Sequence, residues 1–538
     1  MVSSKRPTEL LLVVRGVLGP LRAKSLTLQN GIGKLPTANA EFWLKSPSFE
    51  PHNAIGKAAQ IDVTTAEGNK RSFVGEIEAI DANARDHDTW ACEVRVLGGP
   101  IAASVNRHAR TFCDKTVPEI ITSVLALHAG FQVQRDRLRK AYTPRPYTVQ
   151  YFESDLDFAT RIAFDAGVAI LFEADKYPAK VILVDDALEF QLLQRPLPYS
   201  LRGAGENIDL REEVTQLTSR FEATPKQYVV DAYDFQATKK KLMAQANGKY
   251  PPESGGVRVN LETPYLSHSD GNAISKRLAD ADTAQGTSIT AETNSSVIEC
   301  GHRFELEGHP NAAMNRSYFV TASASSWTAP ADSSTNSGPN APGVTNLRLQ
   351  TSPDIAVRDF NAPSKPVVVG VVLAHVTGIE IGGNSQKGAI AVDNYGRVRV
   401  RFKWHGASPK AEDTDRSMPI RVAQGWAGEK RGFHLLPRVG DEVLVEFENG
   451  DAERPIISGS LFNEKHAPAN LPDEAAQLVL RSRSLPGGGA GNFNELRFDD
   501  AIGKERVFLQ AEKNFEEKIK NDAKTDIGGR GDVTAKVA

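Results

Sequence analysis

GRVRVRFKW, residues 396–404, alternates without a break. Val398, Val400, Phe402 and Trp404 fall on one side; Arg397, Arg399, Arg401 and Lys403 fall on the other. Successive side chains of a strand point to opposite faces, so this stretch predicts a strand with one face in a core and one in water. Working outward, KPVVVGVVLAHV (365–376), MPIRVAQ (418–424), DEVLVEFENG (441–450) and RPIISGSLF (454–462) read as further strands between Gly-, Asn- and Pro-marked turns. Five strands over residues 366–466 predict a small closed barrel of the OB type.

Towards the N-terminus the same language continues. LLLVVRGVLG (10–19), AEFWLKS (40–46), AAQIDVTTAEG (58–68), RSFVGEIEAIDA (71–82) and WACEVRVL (90–97) are short apolar or alternating runs, the pattern of a barrel or sandwich. Two helical patterns interrupt it. Val117, Ile120, Ile121, Val124, Leu125 and Leu127 repeat at helical spacing, with Pro118 in the first turn and Gly130 beyond the end. Leu156, Phe158, Ile162, Ala163 and Ala166 repeat the pattern behind Ser154, a candidate N-cap. VAILFE (168–173) and KVILVDD (180–186) return to strand, and 206–320 reads as strands and turns. Residues 321–345, TASASSWTAPADSSTNSGPNAPGVT, are rich in small and turn-forming residues and read as a loop or linker.

Beyond the barrel lies a Gly-rich neck, with SLPGGGAGNFNELRFDD at 484–500, and then a tail. From residue 506 to 528 the odd positions include Val507, Leu509, Ala511, Phe515 and Ile519. The even positions include Gln510, Glu512, Asn514, Glu516, Lys518 and Lys520. A long amphipathic strand cannot hide its apolar side alone, so these five residues are the candidate core of an assembly of several copies. An amphipathic helix fits less well, because Val507, Leu509, Phe515 and Ile519 share no narrow stripe.

Composition narrows the function classes. The 538 residues are 40% hydrophobic and 24% charged, with net charge −3, ordinary for a globular protein and without a general pull on nucleic acid or anionic lipid. Cys92, Cys113 and Cys300 are sparse and odd in number, which is no disulfide framework or zinc pattern and points to folding in a reducing compartment. The apolar run at 10–14 is too short for a signal peptide or a membrane span. Catalysis finds no anchor. There is no HExxH or GxSxG, PGGGAG at 486–491 lacks the Lys and Ser/Thr of a phosphate loop, and His302 and His309 are not spaced as ligands on one helix turn. No catalytic residue, cofactor or metal is expected. Arg530-Gly531-Asp532 is three common residues in a loop. The barrel region holds 13 Lys and Arg against 13 Asp and Glu, whereas nucleic-acid modules are distinctly basic; Phe402 and Trp404 also fall on its core side.

Several motifs resemble the VgrG family. VQYFESDLDFATRIAFDAG (149–167) is similar to its Gln-Tyr, Glu-Ser-Asp, Phe, Arg and Gly motif, matched by Gln150, Tyr151, Glu153, Ser154, Asp155, Phe158, Arg161 and Gly167. DAYDF (231–235), FELEGHP (304–310) and NRSYFV (315–320) resemble further family stretches, and 418–463 matches almost end to end. The resemblance implies a mainly β protein: a hub of β-barrel domains with inserted helices over 1–360, an OB-fold domain over 366–466, a neck over 467–500 and the start of an intertwined trimeric β-helix over 501–538. It implies a homotrimer acting mechanically as the spike and hub of a type VI secretion or other contractile injection apparatus, and no enzyme. The implied partners are an Hcp-like tube protein, baseplate proteins, a PAAR-like tip and effectors, without nucleic acid. The chain would be made in the bacterial cytoplasm, loaded on the apparatus and delivered outward. Single-strand nucleic-acid binding by the barrel and envelope degradation are the competing functions. The tail is short for a complete needle, and neither a lysozyme insert nor a C-terminal effector is visible.

Overall fold

The computed structural model describes residues 9–526 and 528, apart from 16–17, 46–49, 66–69, 86–88, 201–211, 261–264, 266, 330–342, 352–362, 378–389, 405–416, 469–470 and 486. The Arg-Gly-Asp tripeptide lies outside the described residues. Two compact units are present. The first comprises residues 1–368 with 404–414 and 449–453; the second comprises 369–403, 415–448 and 454–538.

Six strands open the first unit: β1 (Glu9–Val14), β2 (Leu18–Gly31), β3 (Lys34–Lys45), β4 (Ala58–Thr64), β5 (Lys70–Ala84) and β6 (Thr89–Leu97). They run in the order β1-β4-β5-β6-β3-β2, and β1 also pairs with β2, so the sheet closes into a barrel. Closure removes the edges that would invite other strands. The alternate apolar residues meet inside: Leu10, Leu12, Leu26, Phe42, Ile61, Ile77 and Val94 form one core.

A helical insert follows. It contains α1 (Ala102–Val105), β7 (Arg107–Lys115), α2 (Val117–Leu125), β8 (Phe131–Arg137), β9 (Arg145–Ser154), α3 (Asp155–Ala166), β10 (Ala169–Glu173) and β11 (Ala179–Val184). Thr116 and Glu119 form a reciprocal capping box at the start of α2, satisfying two free backbone donors. Ile120, Ile121 and Val124 of α2 join Phe158 and Ile162 of α3, with Val181 and Leu183 of β11, in a separate core.

Among the described residues, ten strands and one long helix complete the first unit, apart from its two small outlying segments. They are β12 (Gln191–Leu192), β13 (Leu197–Pro198), β14 (Val214–Phe221), β15 (Gln227–Ala232), β16 (Leu242–Asn247), β17 (Val257–Asn260), α4 (His268–Gly286), β18 (Thr287–Thr293), β19 (His302–Glu307), β20 (Ser317–Thr328) and β21 (Val344–Gln350). The ladder β13-β19-β20-β21-β18-β14 returns to its start through a bridge between Tyr199 and Val214. That second barrel encloses Ile289, Phe304, Tyr318, Val320 and Leu349 and is joined to the first by β2 beside β20.

Two expectations over this stretch need correction. The region 206–320 is not all strand and turn, because α4 is a 19-residue helix within it. Its apolar stripe is made of Ala279, Ala281 and the half-buried Ile274 and Leu278, and Tyr265 fits so closely over Gly271 that a Cβ there would lie 2.6 Å from the ring. Small residues of this kind leave little signal in hydrophobic periodicity. Likewise the loop expected over 321–345 is strand as far as Thr328. Its small side chains are tolerated because β20 is hydrogen-bonded on both sides, to β2 and β21, and Trp327 supplies the core contact. Residues 330–342 lie outside the described residues.

The second unit contains a five-stranded sheet: β22 (Val372–Val376), β23 (Val400–Phe402), β24 (Arg421–Val422), β27 (Glu442–Phe447) and β28 (Pro455–Leu461), with the hairpin β25 (Ala427–Gly428) and β26 (Arg431–Gly432) projecting between β24 and β27. The order β23-β22-β27-β28-β24 closes through paired backbone bonds between Val398 and Ile420, at 3.0 and 2.7 Å. Val398, Val400 and Phe402 are fully buried. A three-stranded meander follows: β29 (Gln477–Arg481), β30 (Glu495–Asp499) and β31 (Arg506–Gln510). The neck is thus more than a Gly-rich connection, since β29 and β30 lie in it. Among the described residues the tail forms a ladder only over 506–510, and residues 511–526 pair with no strand.

Candidate functional site

Two clusters of the residues singled out from the sequence have distinct geometries. The first is in the helical insert of the first unit, where β9 runs into α3. Ser154 caps α3 by accepting from the Asp157 backbone N–H at 3.0 Å, and Gly167 ends it in the left-handed region at φ 69°, where a Cβ is unfavourable. Glu153 and Arg161 form a buried two-point pair, at 2.6 and 3.1 Å. The second nitrogen of that guanidinium also donates to the Val149 carbonyl, at 3.2 Å. Phe158 is buried and stacks on Phe112 at 5.6 Å. Tyr151 stands apart from the charges, edge-on to Trp404 at 5.5 Å.

Asp155 is the centre of this cluster. It is almost fully buried, receives hydrogen bonds from His128 Nε2 at 2.9 Å and Gln150 Nε2 at 2.8 Å, and has Arg110 at 3.3 Å and His108 at 3.9 Å. Burial alone would raise its pKa, but these donors and cations outweigh that and hold it below the ordinary carboxylate range. His108 is shifted down by burial and by Arg110. The partly buried Glu453 accepts from the Val149 backbone and from Lys365; burial would raise its pKa, but Lys365 and Arg161 outweigh that and hold it ionised. Every motif residue but Tyr151 belongs to this cap, core or charge network. His108, Arg110, His128, Lys365 and Glu453 were not singled out from the sequence, because they converge from segments up to about 300 residues away.

The ion pair, hydrogen bonds and packing of this cluster hold β9 and α3 together. Among the described residues no group of three or more His, Cys, Asp or Glu is arranged to hold a metal. Burial pushes the Cys92 thiol up to about 11 and Cys300 higher still, so neither is a ready nucleophile. The barrel offers no stacking platform on its best strand either, since Phe402 and Trp404 are buried.

The second cluster is the meander β29-β30-β31, and its registers decide its character. Leu478 lies opposite Phe498, and Phe498 opposite Val507. Leu480 lies opposite Leu496, and Leu496 opposite Leu509. Side chains in register share a face, so six large apolar residues cover one side of this sheet. Leu478, Leu480, Phe498, Val507 and Leu509 are all exposed in the single chain. The other side is mostly polar, with Val479 and Phe508 its apolar members. Arg481 and Arg497 hold the buried Glu495, Gln477 donates to Asp499 at 2.8 Å, and Arg497 and Arg506 cover the Phe508 ring at 5.0 and 4.7 Å.

Of the five tail candidates, Val507 and Leu509 lie on that apolar face. Ala511 is half-buried just beyond it, and Phe515 and Ile519 are exposed past the last ladder. The sequence reading did not single out Leu478, Leu480, Leu496 and Phe498. Alternation in QLVLR and ELRFD was the available signal, but only the strand pairing shows that they join Val507 and Leu509.

Residues 34–329 match the family described as phage tail baseplate hub (GPD), 389–462 match the type VI secretion system/phage-baseplate injector OB domain, and 478–538 match the bacteriophage T4 gp5 C-terminal trimerisation domain. The chain is 32% identical over 429 residues to the actin cross-linking toxin VgrG1 of Vibrio cholerae, covering 79% of this chain and 38% of that protein. It is 27% identical over 521 residues to the type VI secretion system spike protein VgrG1a of Pseudomonas aeruginosa, covering 95% of this chain and 78% of that one. Among solved structures it resembles the E. coli c3393 protein, a type VI secretion component, with TM-score 0.57 and 17% identity over 84% of this chain and 99% of that one.

Proposed function

The chain belongs to the phage tail baseplate hub family, in its VgrG spike-protein branch, and from that premise we propose that it works as the trimeric hub and spike of a contractile injection apparatus. The observation that carries the trimer is the uncovered apolar face of the meander. Three copies turned inward about one axis bury Leu478, Leu480, Leu496, Phe498, Val507 and Leu509 against one another and leave the Arg–Glu face in water. The match of 478–538 to a trimerisation domain supports the same reading.

In this reading residues 1–360 are the hub, 366–466 the OB domain, 467–500 the neck and 501–538 the beginning of the spike. Val507, Leu509, Ala511, Phe515 and Ile519 line its axis. Mechanical work suits such a rod. Each strand that leaves it breaks contacts with two neighbours, so shear is resisted without a large single-chain core. The activity is puncture and carriage and no covalent step. The Vibrio relative, of which this chain spans 38%, carries the name of a toxin; effector chemistry then resides in attached or carried proteins. An Hcp-like tube, baseplate proteins and a PAAR-like tip complete the partners, and export occurs by firing of the apparatus.

The test is secretion. In a host whose related apparatus lacks its own spike, the chain restores release of the inner-tube protein, and Leu480→Asp does not. Equal release with and without the chain would overturn the proposal.

A further inference from the structure

We propose that the hairpin at 425–433 is a second self-association contact, in which Trp426 and Phe433 of each chain pack against a neighbouring copy of the same chain. This rests on the trimeric reading above and adds a surface to it. The hairpin stands out from the second unit: all nine residues from Gly425 to Phe433 are exposed. Trp426 is 56% and Phe433 59% exposed, and Leu435 just beyond is exposed as well.

These rings are held in place rather than loosely displayed. The Phe433 backbone N–H donates to the Trp426 carbonyl at 2.9 Å, and the two rings meet edge to face at 6.2 Å. Gly432 sits at φ 132°, and a Cβ there would lie 2.3 Å from the Trp426 carbonyl oxygen, so the close turn requires glycine. Gln424 clasps Leu435 twice, its Nε2 donating to the carbonyl at 3.0 Å and its Oε1 accepting from the N–H at 2.9 Å. A preset aromatic pair loses little freedom on docking, and Trp and Tyr-like rings dominate association energetics.

A second copy is the occupant that the surroundings favour. Arg438, three residues past Leu435, donates from its guanidinium to the Arg483 carbonyl at 3.0 Å, two residues beyond β29. The base of the hairpin is therefore tied to the sheet whose apolar face closes in the trimer, and the match to a trimerisation domain begins at 478. The tip carries Glu429 beside Lys430 and Arg431, all exposed. Each copy thus offers both signs of charge, and a neighbouring tip matches it head to tail.

The experiment is hydroxyl-radical footprinting of the full chain, read by mass spectrometry. It compares the wild type with Leu480→Asp/Leu509→Asp, in which the meander face is broken. Trp327, buried at 4% exposure, is the internal standard. The expected result is that Trp426 and Phe433 in the wild-type trimer oxidise at rates near that of Trp327, and that both rates rise in the monomeric double variant. The inference is overturned if Trp426 oxidises equally fast in both proteins while Phe498 is protected in the wild type. If Phe498 is unprotected as well and the wild type has the mass of one chain, the trimeric reading itself fails. A Trp426→Ser/Phe433→Ser variant gives an independent reading, because its dilution midpoint for dissociation should move up by at least about tenfold. An unchanged midpoint overturns the inference.

Discussion

Replacing Leu480 on the apolar face of the meander should release the trimer without unfolding the chain. Leu480 is 57% exposed in the single chain, so roughly half of the ~1.5–3 kcal/mol available from burying a leucine remains to be gained on association. That is about 1–1.5 kcal/mol per chain and about 3–4.5 kcal/mol per trimer. At 1.4 kcal/mol per factor of ten, Leu480→Ala should weaken assembly by about 10²–10³-fold. Leu480→Asp should cost more, because three carboxylates would meet near the axis and oppose one another's ionisation. Its loss should be partly recovered when the pH is lowered enough to protonate them. Sedimentation equilibrium over a concentration series measures these constants, with Arg497→Gln on the opposite face as the control. A trimer equally strong in wild type and Leu480→Asp, or one lost in Arg497→Gln alone, would refute the placement of this face at the interface.

Other outcomes follow from the hub. Removing Arg161 by substitution to Met leaves the Glu153 carboxylate buried and unpaired; loss of one partner of such a pair costs about 3–5 kcal/mol, so the hub's unfolding transition should drop by several degrees in calorimetry while the subunit count holds. Gly167→Ala places a Cβ at φ 69° and should cost about 1 kcal/mol, read from urea unfolding. His108 and His302 are both shifted down, mainly by burial. The unfolded chain therefore takes up protons first as pH falls below about 6.5, and hub stability should fall across the interval between that value and the lower folded ones. Replacing both histidines with Asn should flatten that part of the stability profile. Finally, fluorescence anisotropy with single-stranded oligonucleotides at physiological salt should show no binding, since the barrel region is charge-balanced and Phe402 is buried.

Much of this molecule was legible in the sequence, for a physical reason. Strands with one wet face write their structure as alternation, and Val398, Val400 and Phe402 lie in the core as that pattern requires. Caps are also local, so Ser154 and the helix behind it could be found. The helix α4 was missed because its buried residues are mostly small, and the strand at 321–328 because small polar side chains suffice between two hydrogen-bonded neighbours. The charge network around Asp155 was half visible. Its motif residues are contiguous, but His128 and Arg110 reach it through the fold. The apolar face was visible only at Val507 and Leu509; which strands lie beside them is set by register and not by pattern.

The central claim is that three copies close the apolar face of the meander. Light scattering coupled to size exclusion on the full chain at low micromolar concentration tests it most directly. The account predicts a molar mass about three times the 58.4 kDa of one chain; a single-chain mass that persists to high micromolar concentration would contradict it.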